Sequence, residues 1–124
     1  MILGIGVEWL EVPRFEAALR RFGPRLRERL FTEAEQDYAA GRAGAAQSLA
    51  VRFAAKAAGR RALGRPAVRW RDLEVVRSES GAPALAFHGA AERAARELGV
   101  KAVTLSLTHD ASYCLGQVIL EGRR

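Results

Sequence analysis

The chain has 124 residues, 49% apolar and 27% charged, which suits one folded domain and excludes disordered and collagen-like classes on composition. A single cysteine, Cys114, excludes a disulfide scaffold. Eighteen of the twenty basic residues are arginine and the formal charge is +6, so the surface suits a phosphorylated ligand, a nucleic acid or an acidic protein, which guanidinium forks bind bidentately.

Ile2 to Val12 reads as a strand, with β-branched and apolar residues around Gly4 and Gly6, and Glu8 and Glu11 as unusual occupants. Pro13 suits the first turn of a helix. Phe15, Ala18, Leu19 and Phe22 then recur at i, i+3, i+4 and i+7, so this first helix is expected to bury all four before Gly23-Pro24 ends it. Thr32 and Glu35 form a capping box that starts a short helix running to about Ala40. After the break at 41–44, the Ala-rich stretch from Ala45 to Leu63 predicts the longest helix, stopped by Gly64. Val68 to Arg77 and Ala84 to His88 predict a hairpin around Ser80-Gly81-Ala82-Pro83. Gly89 to Leu98 is an amphipathic helix closed by Gly99. Ala102 to Leu107 and Ser112 to Glu121 predict a second hairpin joined by Thr108-His109-Asp110-Ala111. Helices first and hairpins later predict an α+β fold, helices packed on a largely antiparallel sheet, as one domain over residues 1–124. No apolar run reaches the roughly 20 residues of a membrane span and no secretory leader is visible, so a soluble cytoplasmic protein is expected.

The chemistry that the residues allow is narrow. His88 and His109 are the only histidines, and Cys114 falls mid-strand among apolar residues, where a packed thiol is expected rather than a nucleophile. There is no CxxC pair, HExxH, Walker loop or GxGxxG, which disfavours zinc and dinucleotide sites. What remains is a carboxylate near a strand end, a basic helix and a histidine at a hairpin tip. Arg52, Lys56 and Arg60 at i, i+4 and i+8 predict a basic stripe about 12 Å long, flanked by Phe53, Ala57 and Arg61, which suits a diphosphate. Arg14, Ala17 and Arg21 lie on the predicted exposed flank of the first helix, with Arg25 following. Nine aromatics and no recognition signature disfavour nucleic acid.

Five segments carry a resemblance: Gly4-Ile5-Gly6-Val7-Glu8 with Glu11, Phe31-Thr32-Glu33-Ala34-Glu35, Arg52-Phe53-Ala54-Ala55-Lys56, Ser78-Glu79-Ser80-Gly81-Ala82-Pro83 and Ser106-Leu107-Thr108-His109. In this order and over nearly the whole chain they resemble the holo-acyl-carrier-protein synthases. The resemblance implies transfer of 4'-phosphopantetheine from coenzyme A to a serine of apo acyl carrier protein, in support of fatty-acid biosynthesis. It implies magnesium as cofactor and a homotrimer with sites between neighbouring subunits, with neither membrane nor nucleic acid as partner. It makes Glu8 the metal ligand and, with Arg61, a catalytic residue. With the basic stripe it assigns Arg52, Lys56, Arg60, Arg61 and His109 to coenzyme A, and Arg14, Arg21 and Arg25 to the acidic carrier. The chain departs from the family pattern at the metal: Glu8 stands for an aspartate, Ala57 for a second carboxylate, and Arg61 for a lysine. Arginine keeps the charge but cannot act as a base at neutral pH. The departures keep an alternative open, a catalytically impaired relative that binds coenzyme A or an acidic carrier without turnover.

Overall fold

In the computed structural model, which describes residues 1–123, β1 (Ile2–Glu11) runs directly into α1 (Val12–Phe22), with Pro13 in the first helical turn. Gly23, at φ 66°, separates α1 from α2 (Pro24–Leu30). The sequence predicts only a stop at Gly23-Pro24, yet the same proline, having no amide to leave unpaired, opens a second helix. α3 (Glu33–Ala39) starts on the expected capping box: the Glu35 amide donates to the Thr32 hydroxyl at 3.2 Å and the Thr32 amide to the Glu35 carboxylate at 2.9 Å. α4 (Ala45–Leu63) has the expected bounds and ends on left-handed Gly64. A 3₁₀ turn, Trp70–Asp72, then leads to β2 (Leu73–Arg77), β3 (Pro83–Phe87), α5 (Gly89–Leu98), β4 (Val100–His109) and β5 (Tyr113–Gly122).

Both predicted hairpins form, but they remain two sheets. β1, β5 and β4 make an antiparallel sheet in that order, and β2 and β3 make a separate two-stranded ribbon. β4 runs two residues further at each end than the sequence predicts. The tip tightens because the Asp110 carboxylate accepts from the amides of Ser112 and Tyr113, each at 2.8 Å. His109 is thus the last residue of β4, paired in register with Cys114.

Close approach of helix to sheet organises the rest. A Cβ on Gly6 would stand 1.8 Å from the Ala58 carbonyl oxygen, one on Gly4 2.3 Å from that of Ala62, and one on Gly116 2.6 Å from that of Ala54. Ala54, Ala58 and Ala62 form one i, i+4, i+8 row, so the α4 backbone lies directly on β1 and β5. Around this contact Leu63, Val68, Leu73, Val118 and Leu120 make one core, while Leu19, Leu30, Phe31 and Leu49 make another under α1 to α3. One expected core residue is misplaced: Phe22 is 58% exposed, because α1 ends there and Gly23 turns the chain away. On the face of the sheet turned away from α4, Ile5, Val7, Trp9 and Tyr113 are exposed, and the Trp9 and Tyr113 rings stack at 5.1 Å. Among the described residues no helix is long and apolar enough to cross a membrane.

Candidate functional site

Lys56 lies inside the molecule. Its ammonium donates to the Glu35 carboxylate at 2.6 Å, both side chains are fully buried, and the Phe31 ring lies 5.2 Å away. The other Glu35 oxygen accepts from the Val75 amide at 2.9 Å, so the pair ties α3, α4 and β2 together. Burial pulls the Lys56 pKa down while the Glu35 charge opposes it. The expectation that Lys56 touches coenzyme A is thereby corrected: no face of the ammonium reaches a ligand. The predicted stripe breaks at its middle residue, and its two arginines serve different clefts.

The first cleft, about 440 Å³, opens at the C-terminal end of α4 and is lined by Glu8, Ala57, Arg60, Arg61, Arg65 and Trp70, among others. Gly4 and Gly6 set β1 against α4, which brings Glu8 over the last turns of the helix. There its carboxylate accepts from Arg61 Nε at 3.0 Å. Arg60 is fixed against the cleft wall, its guanidinium 5.0 Å from the Trp70 ring centre and its Nε donating to the Val68 carbonyl at 3.0 Å. Magnesium takes hard oxygen ligands and usually one or two carboxylates. Here the Ala57 side chain supplies no oxygen, and the one side-chain carboxylate lining the cleft among the described residues, that of Glu8, is already paired with a guanidinium, with two more guanidiniums beside it. Among the described residues no three His, Cys, Asp or Glu side chains converge on a metal position. This donor set does not fit a resident magnesium ion.

The second cleft, about 590 Å³, lies toward the other end of α4 and includes Tyr38, Arg42, Ser48, Arg52, Arg77 and His109. Three guanidiniums, those of Arg42, Arg52 and Arg77, surround the Tyr38 ring with carbons 4.0, 4.2 and 5.1 Å from its centre. Arg77 also donates to the Tyr38 hydroxyl, and that bond lowers the phenol's pKa, assisted by the charge of Arg42. Arg52 donates to the Ser48 hydroxyl at 2.7 Å, yet its buried Nε has no partner among the described residues. Desolvation pulls the Arg52 pKa down, with Tyr38 opposing. An unpaired buried N–H costs about 1–3 kcal/mol. His109 stands at the rim. Its register partner Cys114 is buried, and burial pushes that thiol up to about 11, in keeping with a packed rather than a reactive residue.

The residues singled out in the sequence therefore divide. Glu8, Arg60 and Arg61 share one cleft, Arg52 and His109 share the other, and Lys56 belongs to neither. Arg14 and Arg21 are exposed on α1 and Arg25 on α2. Sequence reasoning missed Tyr38, Arg42 and Arg77 in the second cleft and Arg65 and Trp70 in the first. Arg42 sits in a glycine-flanked break and Arg77 at a strand end, positions that carry no periodic signal.

The model of the 4'-phosphopantetheinyl transferase superfamily matches residues 4–118. Holo-[acyl-carrier-protein] synthase of Koribacter versatilis is 43% identical over 124 residues, 98% of this chain and 99% of that protein. The synthase of Anaeromyxobacter sp. (strain K) is 48% identical over 128 residues, 98% of each. In three dimensions the chain is similar to holo-[acyl-carrier-protein] synthase from Neisseria meningitidis, with a TM-score of 0.87 and 30% identity over 98% of this chain and 99% of that one. It is also similar to the synthase from Bacillus anthracis in complex with CoA, with a TM-score of 0.79 and 33% identity over 99% of both. On both sequence and fold, the chain belongs to the 4'-phosphopantetheinyl transferase superfamily.

Proposed function

We propose that this protein transfers the 4'-phosphopantetheine group of coenzyme A to a serine of apo acyl carrier protein. The observation that carries the reading is the pair of arginine-lined clefts at the two ends of α4, in a chain whose relatives are named for this reaction. Coenzyme A has two anionic centres, a diphosphate and a 3'-phosphate. Arg60, Arg61 and Arg65 suit the diphosphate, while Arg42, Arg52, Arg77 and His109 suit the terminal phosphate. In the transfer the serine oxygen attacks the β-phosphorus, a new P–O bond forms, and the bond to the bridging diphosphate oxygen breaks. 3',5'-ADP then leaves, and the serine proton passes to water in the open cleft. The chain's work is positioning and charge neutralisation: Arg61 meets the charge on the phosphate oxygens, and Glu8 is a positioning residue that fixes Arg61.

The exposed apolar face of the three-stranded sheet supports assembly as a homotrimer, with each coenzyme A drawing on clefts of neighbouring copies. The cationic flank of α1, with Arg14, Arg21 and Arg25, is the surface offered to the acidic carrier. A cytoplasmic role in fatty-acid biosynthesis completes the proposal. A second reading, binding of coenzyme A or carrier without turnover, is favoured by one observation: Ala57 stands in the cleft where a second carboxylate would be expected. Intact-mass spectrometry of apo carrier protein incubated with this protein and coenzyme A separates the two. Gain of one phosphopantetheine mass supports transfer, and an unmodified carrier with coenzyme A bound supports the second reading.

A further inference from the structure

We infer that the diphosphate cleft works without a divalent metal, the guanidinium of Arg61 standing where a cation would sit. The inference rests on the transferase reading above and concerns how the cleft holds the diphosphate. A divalent ion needs oxygen donors, and among the described residues the one side-chain carboxylate lining the cleft is Glu8, which already receives Arg61 Nε at 3.0 Å. An ion entering beside that pair meets Arg60 on the cleft lining as well, and Arg65, which lies 4.0 Å from Glu97, so like charge opposes it. The same arrangement favours an anion. The Arg61 side chain is 65% exposed and is held through Nε alone, so among the described residues its two terminal nitrogens make no hydrogen bond. A guanidinium anchored at Nε presents its remaining N–H groups as a fork, the geometry that binds two phosphate oxygens. Glu8 thus orients Arg61 as it would otherwise orient a metal. Arg60, pinned by Trp70 and the Val68 carbonyl, adds a second fixed charge at the cleft wall.

Calorimetric titration of coenzyme A tests this with the intact protein and with Arg61→Ala, each in EDTA and in excess magnesium. Arg61 is exposed, so the variant is expected to keep its thermal midpoint. For the parent protein the two dissociation constants should agree within about threefold. In Arg61→Ala, binding in EDTA should weaken about tenfold or more. Glu8 is then unpaired, so magnesium should restore part of the affinity through one carboxylate and the ligand's own phosphates. A parent protein that binds coenzyme A only with magnesium, or an Arg61→Ala variant that binds as tightly as the parent in EDTA, overturns the inference and leaves the transferase reading standing. Absence of coenzyme A binding in either buffer overturns the transferase reading itself.

Discussion

Lys56 shows how spacing on a helix misleads. Arg52, Lys56 and Arg60 are four residues apart, but each step of four advances about 40° around an α-helix, so the row spirals about 80° over eight residues. So narrow a spread does not separate them; Lys56 is buried because α3 and β2 close over the middle of this face through Glu35, while Arg52 and Arg60 emerge in separate clefts. A buried pair broken on one side leaves an uncompensated charge, worth about 3–5 kcal/mol. Lys56→Met should therefore lower unfolding free energy by about that amount in urea, and adding Glu35→Gln should recover much of the loss. Two additive losses would show that Lys56 and Glu35 are not coupled. Glu8 and Arg61 were both legible in the sequence as site candidates through the family resemblance. Their pairing was not, because it joins a strand and a helix 53 residues apart. The Tyr38 cluster was illegible for the same reason: its arginines come from three separate segments, and each alone reads as a solvated charge.

At the scale of elements, the contact between α4 and the sheet is the least tolerant part of the fold. The alanine carbonyl opposite Gly6 belongs to the helix backbone and cannot rotate aside. Gly6→Ala is expected to cost about 3 kcal/mol or more in thermal or urea unfolding, at the upper end of overpacking effects. A loss below about 1 kcal/mol would mean that α4 rides higher on the sheet than described. The bounds of α4 were readable because alanine content, the break before it and Gly64 after it all agree. α2 was not readable, since Gly23-Pro24 signals both a stop and a start. α1 presents Arg14 and Arg21 on its exposed flank. Charges at an exposed rim mainly set association rate and salt sensitivity. Arg14→Glu with Arg21→Glu should weaken carrier binding and flatten its salt dependence while leaving coenzyme A affinity unchanged. Unchanged carrier affinity at low salt, by calorimetry, would show that this helix is not the docking surface.

For the whole molecule, the sequence predicted strands and helices in nearly the right places but not their division into two sheets. That division depends on β3 lying beside β4 without a hydrogen-bonded ladder, a packing choice that no local pattern encodes. Nor did alternation reveal that the outward face of β1 would stay uncovered within one chain. Trp9, 62% exposed and stacked on Tyr113, lies near one end of that face. On the proposed trimer with sites between copies, Trp9→Glu should shift sedimentation toward monomer and reduce turnover with it; an unchanged sedimentation coefficient would place any subunit contact elsewhere. Turnover at the arginine clefts is read out by release of 3',5'-ADP. With apo acyl carrier protein and coenzyme A, one 3',5'-ADP should appear per carrier modified, with catalytic amounts of protein and in the presence of EDTA. Coenzyme A that binds and stays intact in every buffer would contradict turnover there.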